Sequence, residues 1–225
     1  MNWLPAAGNI VIPTQPNLQK QTMIDRRTFL IASTNTLGAG VVSMTGCASM
    51  SSDTGWTTLV DGSKMSSFDG WAQLGAGGWS FVDGTLQGKN GKLGYLVSKD
   101  SYTDFEIRAE FWADEEANSG IFLRCQDRNK VGADNAYEVN IFDKRPDPSY
   151  GTGAIVDVAK VAQPAPKAAN RWNTFEITVR GDRLVVMLNG RQTADVRDSK
   201  YRSGPIALQS AAGTIRFRKV QIRTL

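Results

Sequence analysis

From Trp56 onward, apolar and polar residues alternate with the period of two that a half-buried strand requires, and no 3.6-residue periodicity competes with it. Residues 104–112 place Phe105, Ile107, Ala109 and Phe111 on one face, with Glu106, Arg108, Glu110 and Trp112 opposite. Residues 119–126 divide in the same way, Ile121, Leu123 and Cys125 against Phe122, Arg124 and Gln126. Residues 137–142 set Tyr137, Val139 and Ile141 against Glu138, Asn140 and Phe142. Further strands are predicted at 173–180, 183–189, 205–210 and 214–223, with turns at Gly181-Asp182, Asn189-Gly190 and Ser203-Gly204-Pro205. In the last strand the inward set shifts from Ile215 and Phe217 to Val220 and Ile222, which predicts a bulge near Arg218. Many short strands separated by turns predict an all-β sandwich or jelly roll in a single domain over 56–225. Two long proline-bearing stretches, 144–153 and 159–171, are predicted to be lids or binding loops.

Composition narrows the chemistry. The chain has no histidine and two cysteines, Cys47 and Cys125, so His-based triads, His-ligated metals and four-Cys zinc sites are excluded. Any reaction has to come from carboxylates, amides, hydroxyls, Arg, Lys or Tyr. The formal charge of +4 shrinks to +2 over residues 48–225, and no basic stripe tracks phosphates, so nucleic acid is set aside as a partner. Gly75-Ala76-Gly77-Gly78 lacks the strand-to-helix setting of a phosphate loop and is read as a turn. No cofactor is evident.

The first fifty residues are of a different kind. Asp25-Arg26-Arg27-Thr28-Phe29-Leu30 followed by a small and apolar run has the pattern of a twin-arginine export signal. The run ends in Met44-Thr45-Gly46-Cys47, the form of a lipobox, and is too short and polar for a comfortable membrane span. Residues 1–47 are therefore expected to be a leader whose cleavage leaves Cys47 as the acylated membrane anchor. Residues 48–55 are expected to form a tether, and the protein is expected on the periplasmic side or cell envelope. Met1 and Met23 remain alternative starts.

If the strands at 104–112, 119–126 and 137–142 share a sheet, their polar faces gather Glu110, Arg124, Glu138 and Asn140, with Trp112, Phe122 and Phe142 among them. Aromatic faces beside carboxylates and arginine suit a sugar ring, while the plainer reading is a solvated sandwich face carrying weak ion pairs such as Glu110–Arg124. Trp56, Trp71, Trp79 and Trp172 are read as packing residues, and Cys125 as an inert buried thiol.

Several segments favour the first reading, because together they resemble one family. They are Trp56-Thr57-Thr58-Leu59-Val60-Asp61-Gly62, Trp79-Ser80-Phe81-Val82-Asp83-Gly84-Thr85-Leu86, Asn118-Ser119-Gly120-Ile121-Phe122-Leu123-Arg124 and Tyr137-Glu138-Val139-Asn140-Ile141-Phe142-Asp143. Gly153-Ala154-Ile155, Arg171-Trp172-Asn173, Leu188-Asn189-Gly190, Ile206-Ala207-Leu208-Gln209 and Phe217-Arg218-Lys219-Val220 follow in order. This resembles the 3-keto-disaccharide hydrolase family, of concanavalin A-like jelly-roll fold. The chain departs from the family pattern at Asn140, where Gln is usual, and at Val156, where Tyr is common. The resemblance implies a site made from Asn118, Arg124, Glu138, Asn140, Asp143 and Gln209, with Glu110, Trp112 and Phe142 adjoining.

It also implies cleavage of a glycoside whose ring carries a ketone at C3, a substrate that a sugar 3-dehydrogenase would supply. The ketone acidifies the C2 proton, a base removes it, and the C1 substituent leaves. On this reading Glu138 is the base, Arg124 the electrostatic stabiliser, and Glu110 or Asp143 the second acid/base. A divalent metal shared by Glu138 and Asp143 is conceivable only if the strand ends between them, because strict alternation puts them on opposite faces. Two other readings compete: a carbohydrate-binding lipoprotein without turnover, and a glycosidase with Glu110 and Glu138 as its carboxylate pair.

Overall fold

The computed structural model describes residues 55–89 and 91–225; the leader, Cys47 and most of the tether lie outside the described residues. Thirteen strands follow in order: β1 (Thr57–Asp61), β2 (Trp71–Gly75), β3 (Trp79–Val82), β4 (Thr85–Lys89), β5 (Gly94–Ser98), β6 (Phe105–Ala113), β7 (Ser119–Leu123), β8 (Tyr137–Ile141), β9 (Trp172–Arg180), β10 (Arg183–Leu188), β11 (Arg191–Arg197), β12 (Ala207–Ser210) and β13 (Thr214–Thr224). One 3₁₀ turn, Pro148–Tyr150, interrupts the loop after β8. The strands form two antiparallel sheets, so the all-β jelly-roll sandwich read from the sequence is the fold. The larger sheet runs β11-β10-β9-β6-β13-β4-β3 with β1 beside β13, and the smaller runs β2-β5-β12-β7-β8.

Alternation explains the larger sheet well. Phe105, Ile107, Ala109 and Phe111 of β6 are fully buried, as are Phe175 and Val179 of β9, and Phe111 stacks on Phe175 at 4.9 Å between centroids. Turn chemistry fits too. Asn189 and Gly190 both have positive φ and close the β10–β11 hairpin, as Asp83 and Gly84 close β3–β4. Both are the left-handed two-residue turns whose twist matches paired strands. The expected bulge is present, because the β13–β6 register shifts between Phe217 and Lys219. There β13 exchanges neighbours along its other edge, β4 pairing as far as Phe217 and β1 from Lys219.

Four strands of the smaller sheet, β5, β12, β7 and β8, are buried on both faces, and that positions the site. Leu96, Ile121, Leu123, Tyr137, Val139 and Leu208 face the core between the sheets. On the other face a second cluster of Tyr95, Val97, Phe122, Cys125, Val131, Ala136 and Ala207 forms, with the 126–136 loop packed onto the sheet. The segment after the 3₁₀ turn covers the free edge of β8. Val139 bridges Ile155, the Asn140 amide donates to the Ala154 carbonyl, and Val156 donates to Glu138.

Two expectations fail here. β6 belongs to the larger sheet and β7 and β8 to the smaller, so Glu110 and Trp112 do not share a face with Glu138. Strand β7 also ends at Leu123 rather than 126, because Arg124 takes a left-handed backbone, φ 53°. That residue inverts the alternation beyond it. Cys125 is buried with the second cluster rather than beside Ile121 and Leu123, while Arg124 is buried among main-chain carbonyls.

Candidate active site

The outer face of the smaller sheet carries two cross-strand rows. One is Ala72–Val97–Ala207–Phe122–Glu138, and register places each residue opposite the next. The next row begins Leu74–Tyr95–Gln209 and ends Gly120–Asn140. Val97, Ala207 and Phe122 of the first row pack with Val131 and Ala136 of the 126–136 loop. We call the strip along the second row, apolar at Leu74 and polar at the buried Gln209 and Asn140, the trough.

Gly120 shapes that strip. A Cβ there would lie 3.3 Å from Glu138 Oε1 and 3.1 Å from the Val139 carbonyl, so the missing side chain is the space into which the Glu138 carboxylate leans. Gly120 has no positive φ, so its role is room rather than backbone freedom. Gly120→Ala is therefore expected to keep the fold while displacing the carboxylate by a few tenths of an ångström. A roughly tenfold loss of kcat/KM with little change in Tm is the expected result, because small misplacements of a reacting group are costly.

Glu138 is 8% exposed, and its carboxylate has neither a hydrogen-bond partner nor a salt bridge among the described residues. Burial pushes its pKa up to about 7; Arg145 counteracts this and Asp157 adds to it. A carboxyl balanced near neutrality can both take and return a proton. Around it stand amides with spare capacity. Asn140 is fully buried and donates to the Tyr150 carbonyl at 2.6 Å, while its Oδ1 is buried without a donor. Gln209 donates through Nε2 to the Tyr95 hydroxyl at 3.3 Å, and its Oε1 is likewise without a donor. Burial raises the Tyr95 pKa, so the phenol stays protonated and its own proton is free for a ligand. A buried acceptor without a donor costs about 1–3 kcal/mol, which a sugar hydroxyl can relieve.

The structure thus brings Glu138, Asn140 and Gln209 to one face, with Asn118 half-buried at the start of β7 and Phe142 half-buried just past the end of β8. It separates the others. Glu110 faces outward from the larger sheet, paired with Arg218, and Trp112 on that face lies under Arg216. Sheets pack about 10 Å apart and these side chains point away from each other, so Glu110 and Glu138 exceed the separation of either glycosidase geometry. The carboxylate-pair reading is withdrawn.

Arg124 is 1% exposed and does not face Glu138. It donates to the carbonyls of Thr103 (2.8 Å), Gly181 (2.8 Å) and Tyr201 (3.0 Å) and to Asp104 Oδ1 (3.1 Å), tying four segments together. Asp143 is also engaged structurally. It accepts from Thr152 Oγ1 at 2.6 Å and from the amides of Ala168 and Ala169, both at 2.9 Å, clamping the 165–169 loop. Asp143 therefore cannot share a metal with Glu138 without giving up those bonds. No three carboxylate or cysteine side chains converge among the described residues, so this donor set does not fit a divalent ion and no step is routed through one.

Sequence reasoning missed Tyr95 and Arg145. Gly94-Tyr95-Leu96-Val97-Ser98 is buried at every position and shows no alternation to mark it, while Arg145 sits on a loop.

The profile of the 3-keto-α-glucoside-1,2-lyase-like domain matches residues 55–223, the whole sandwich. The chain belongs to that family. Among solved structures, this lyase-like domain is similar to two candidate glycosyl hydrolases from Parabacteroides distasonis. One is 23% identical with a TM-score of 0.62, over 76% of this chain and 99% of that one. The other is 18% identical with a TM-score of 0.67, over 76% and 94%. A galectin-like protein of unknown function from Bacillus subtilis is 15% identical with a TM-score of 0.57, over 75% and 96%. At these identities the likeness bears on the fold alone. No curated protein matches the sequence. For a lyase-like domain, the trough around Glu138 is the natural place to look for chemistry.

Proposed function

We propose that this trough cleaves 3-keto-glycosides by elimination, with Glu138 as the base. The observation that carries the reading is the lone buried carboxyl with its pKa near 7, set among amides whose side-chain oxygens lack donors. The Glu138 carboxylate takes the C2 proton, and the electron pair of the C–H bond forms the enolate of the C3 ketone. The enolate then re-forms the ketone, a C1–C2 double bond appears, and the C1–O bond breaks, the leaving oxygen gaining a proton. Water adds back afterwards. Arg145, whose charge already acts on Glu138, takes the stabilising role first given to Arg124, while Tyr95, Gln209 and Asn140 grip the sugar.

The test is incubation with a 3-keto-glucoside and, separately, its unoxidised parent, with and without EDTA, following aglycone release. Release from the keto form alone, unaffected by EDTA, supports the elimination. Release from the parent defeats it, and sugar binding without release from either would make the protein a glycan-binding module. Arg145→Gln is a second check. Arg145 lowers the Glu138 pKa, so its loss is expected to move the midpoint of the kcat/KM profile above about 7. An unmoved midpoint means that Arg145 does not act on the base. The ketone would come from a sugar 3-dehydrogenase acting upstream. Export and lipidation at Cys47 belong to the same proposal, as a placement on the outer side of a membrane.

A further inference from the structure

The polar end of the trough accounts for a sugar ring, but its other end is built differently. Past Tyr95 the floor opens into a depression of about 230 Å³ lined by Leu74, Leu93, Tyr95 and Val131, with Asn129 and Lys130 beside them. Leu93 is 54% exposed, the most exposed of the large apolar side chains in the described residues. Its backbone is nevertheless fixed. The Ala76 amide donates to the Leu93 carbonyl at 3.0 Å, and a Cβ on Gly75 would come within 2.6 Å of that oxygen. Lys130 is bound to Asp134 at 2.8 Å, which neutralises the one charge in the lining. An apolar side chain presented to solvent on a held backbone, beside a buried ring, is what a binding wall looks like.

Continuity decides the occupant. Tyr95 belongs to both halves: its hydroxyl accepts from Gln209, and its ring packs edge-on against Phe122 at 5.4 Å and lines the depression. Strands are spaced about 4.8 Å apart, so Tyr95 and Asn140, three strands apart, are separated by about 14 Å. A pyranose is shorter than that span, and one held by Gln209 and Asn140 lies at its polar end. Its C1 substituent, directed along the floor, passes Tyr95 into the apolar depression. We propose that Leu74, Leu93, Tyr95 and Val131 form an aglycone subsite, and that the substrates are glycosides of apolar alcohols rather than of a second sugar. The inference rests on the trough being the sugar site described above.

The experiment uses the full chain and two 3-keto-glucosides whose leaving alcohols have nearly the same acidity, ethyl and 2-cyclohexylethyl. The cyclohexylethyl compound is expected to have about tenfold higher kcat/KM, and Leu93→Ser and Leu74→Ser are expected to reduce that preference to about twofold. Binding of the two unoxidised glucosides by calorimetry reads the same preference without turnover; tenfold in Kd is ~1.4 kcal/mol. Turnover of both keto compounds without preference overturns the aglycone subsite and leaves the elimination standing. No turnover with a retained binding preference defeats the elimination and keeps the subsite. Equal binding of both glucosides, or a preference unchanged in both serine variants, overturns the assignment.

Discussion

Glu138→Gln is expected to lower kcat/KM on a 3-keto-glucoside by about 10³-fold while making the protein more stable at pH 8. The activity loss follows from removing the buried carboxyl beside Gly120 that accepts the C2 proton; general bases contribute roughly 10²–10⁴-fold. The stability gain follows from linkage. Below pH 4.5 the carboxyl is protonated in both the folded and the unfolded chain. Between 4.5 and about 7 the unfolded chain releases the proton and the folded chain keeps it, so stability falls as pH rises. Above 7 the full penalty applies, about 3 kcal/mol for a shift of this size. Gln carries no charge to bury, so the variant's Tm should exceed that of the wild type at pH 8 by on the order of 10 °C, and by far less at pH 4.5. The wild-type kcat/KM should rise with pH through a midpoint near 7. Full activity in Glu138→Gln would sink the mechanism; equal Tm values at pH 8 would sink the claim that this carboxyl is desolvated.

Arg124→Gln is expected to do the opposite: a large loss of stability and unchanged chemistry in whatever remains folded. Its guanidinium serves the carbonyls of Thr103, Gly181 and Tyr201 together with Asp104, and no shorter side chain reaches them all. Breaking a buried charged network of this kind costs about 3–5 kcal/mol, so Tm should fall by on the order of 10 °C. Arg124→Lys should be nearly as damaging, since an ammonium cannot reproduce the planar fork. Activity per folded molecule, measured well below the transition, separates this anchoring role from a catalytic one. A normal Tm with lost activity would return Arg124 to the site.

These two residues also show what the sequence could and could not disclose. Alternation located the large sheet's core, the β13 bulge and the face that Glu138 and Asn140 share, because each follows from the two-residue period of an extended chain. It failed at Arg124, where one left-handed residue reversed the parity and nothing in a lone arginine announces a positive φ. It failed at Glu110 and Trp112 for a different reason. Alternation says which side of its own strand a residue occupies, not which sheet the strand joins. Tyr95 escaped because a strand covered on both faces has no polar side to mark it. Glu138 was named, but the room Gly120 leaves for its carboxylate is a contact between two strands and has no linear signature.

Because β5, β12, β7 and β8 are covered on both sides, each serves two masters by parity. One set of residues holds the sandwich together, and the set between them faces the 126–136 loop and the trough. Selection can therefore rewrite the second set, residue by residue, with little disturbance of the first. A domain built this way is open to rapid diversification of its ligands on an unchanging frame, and its most informative mutational library is short: every other residue of four strands.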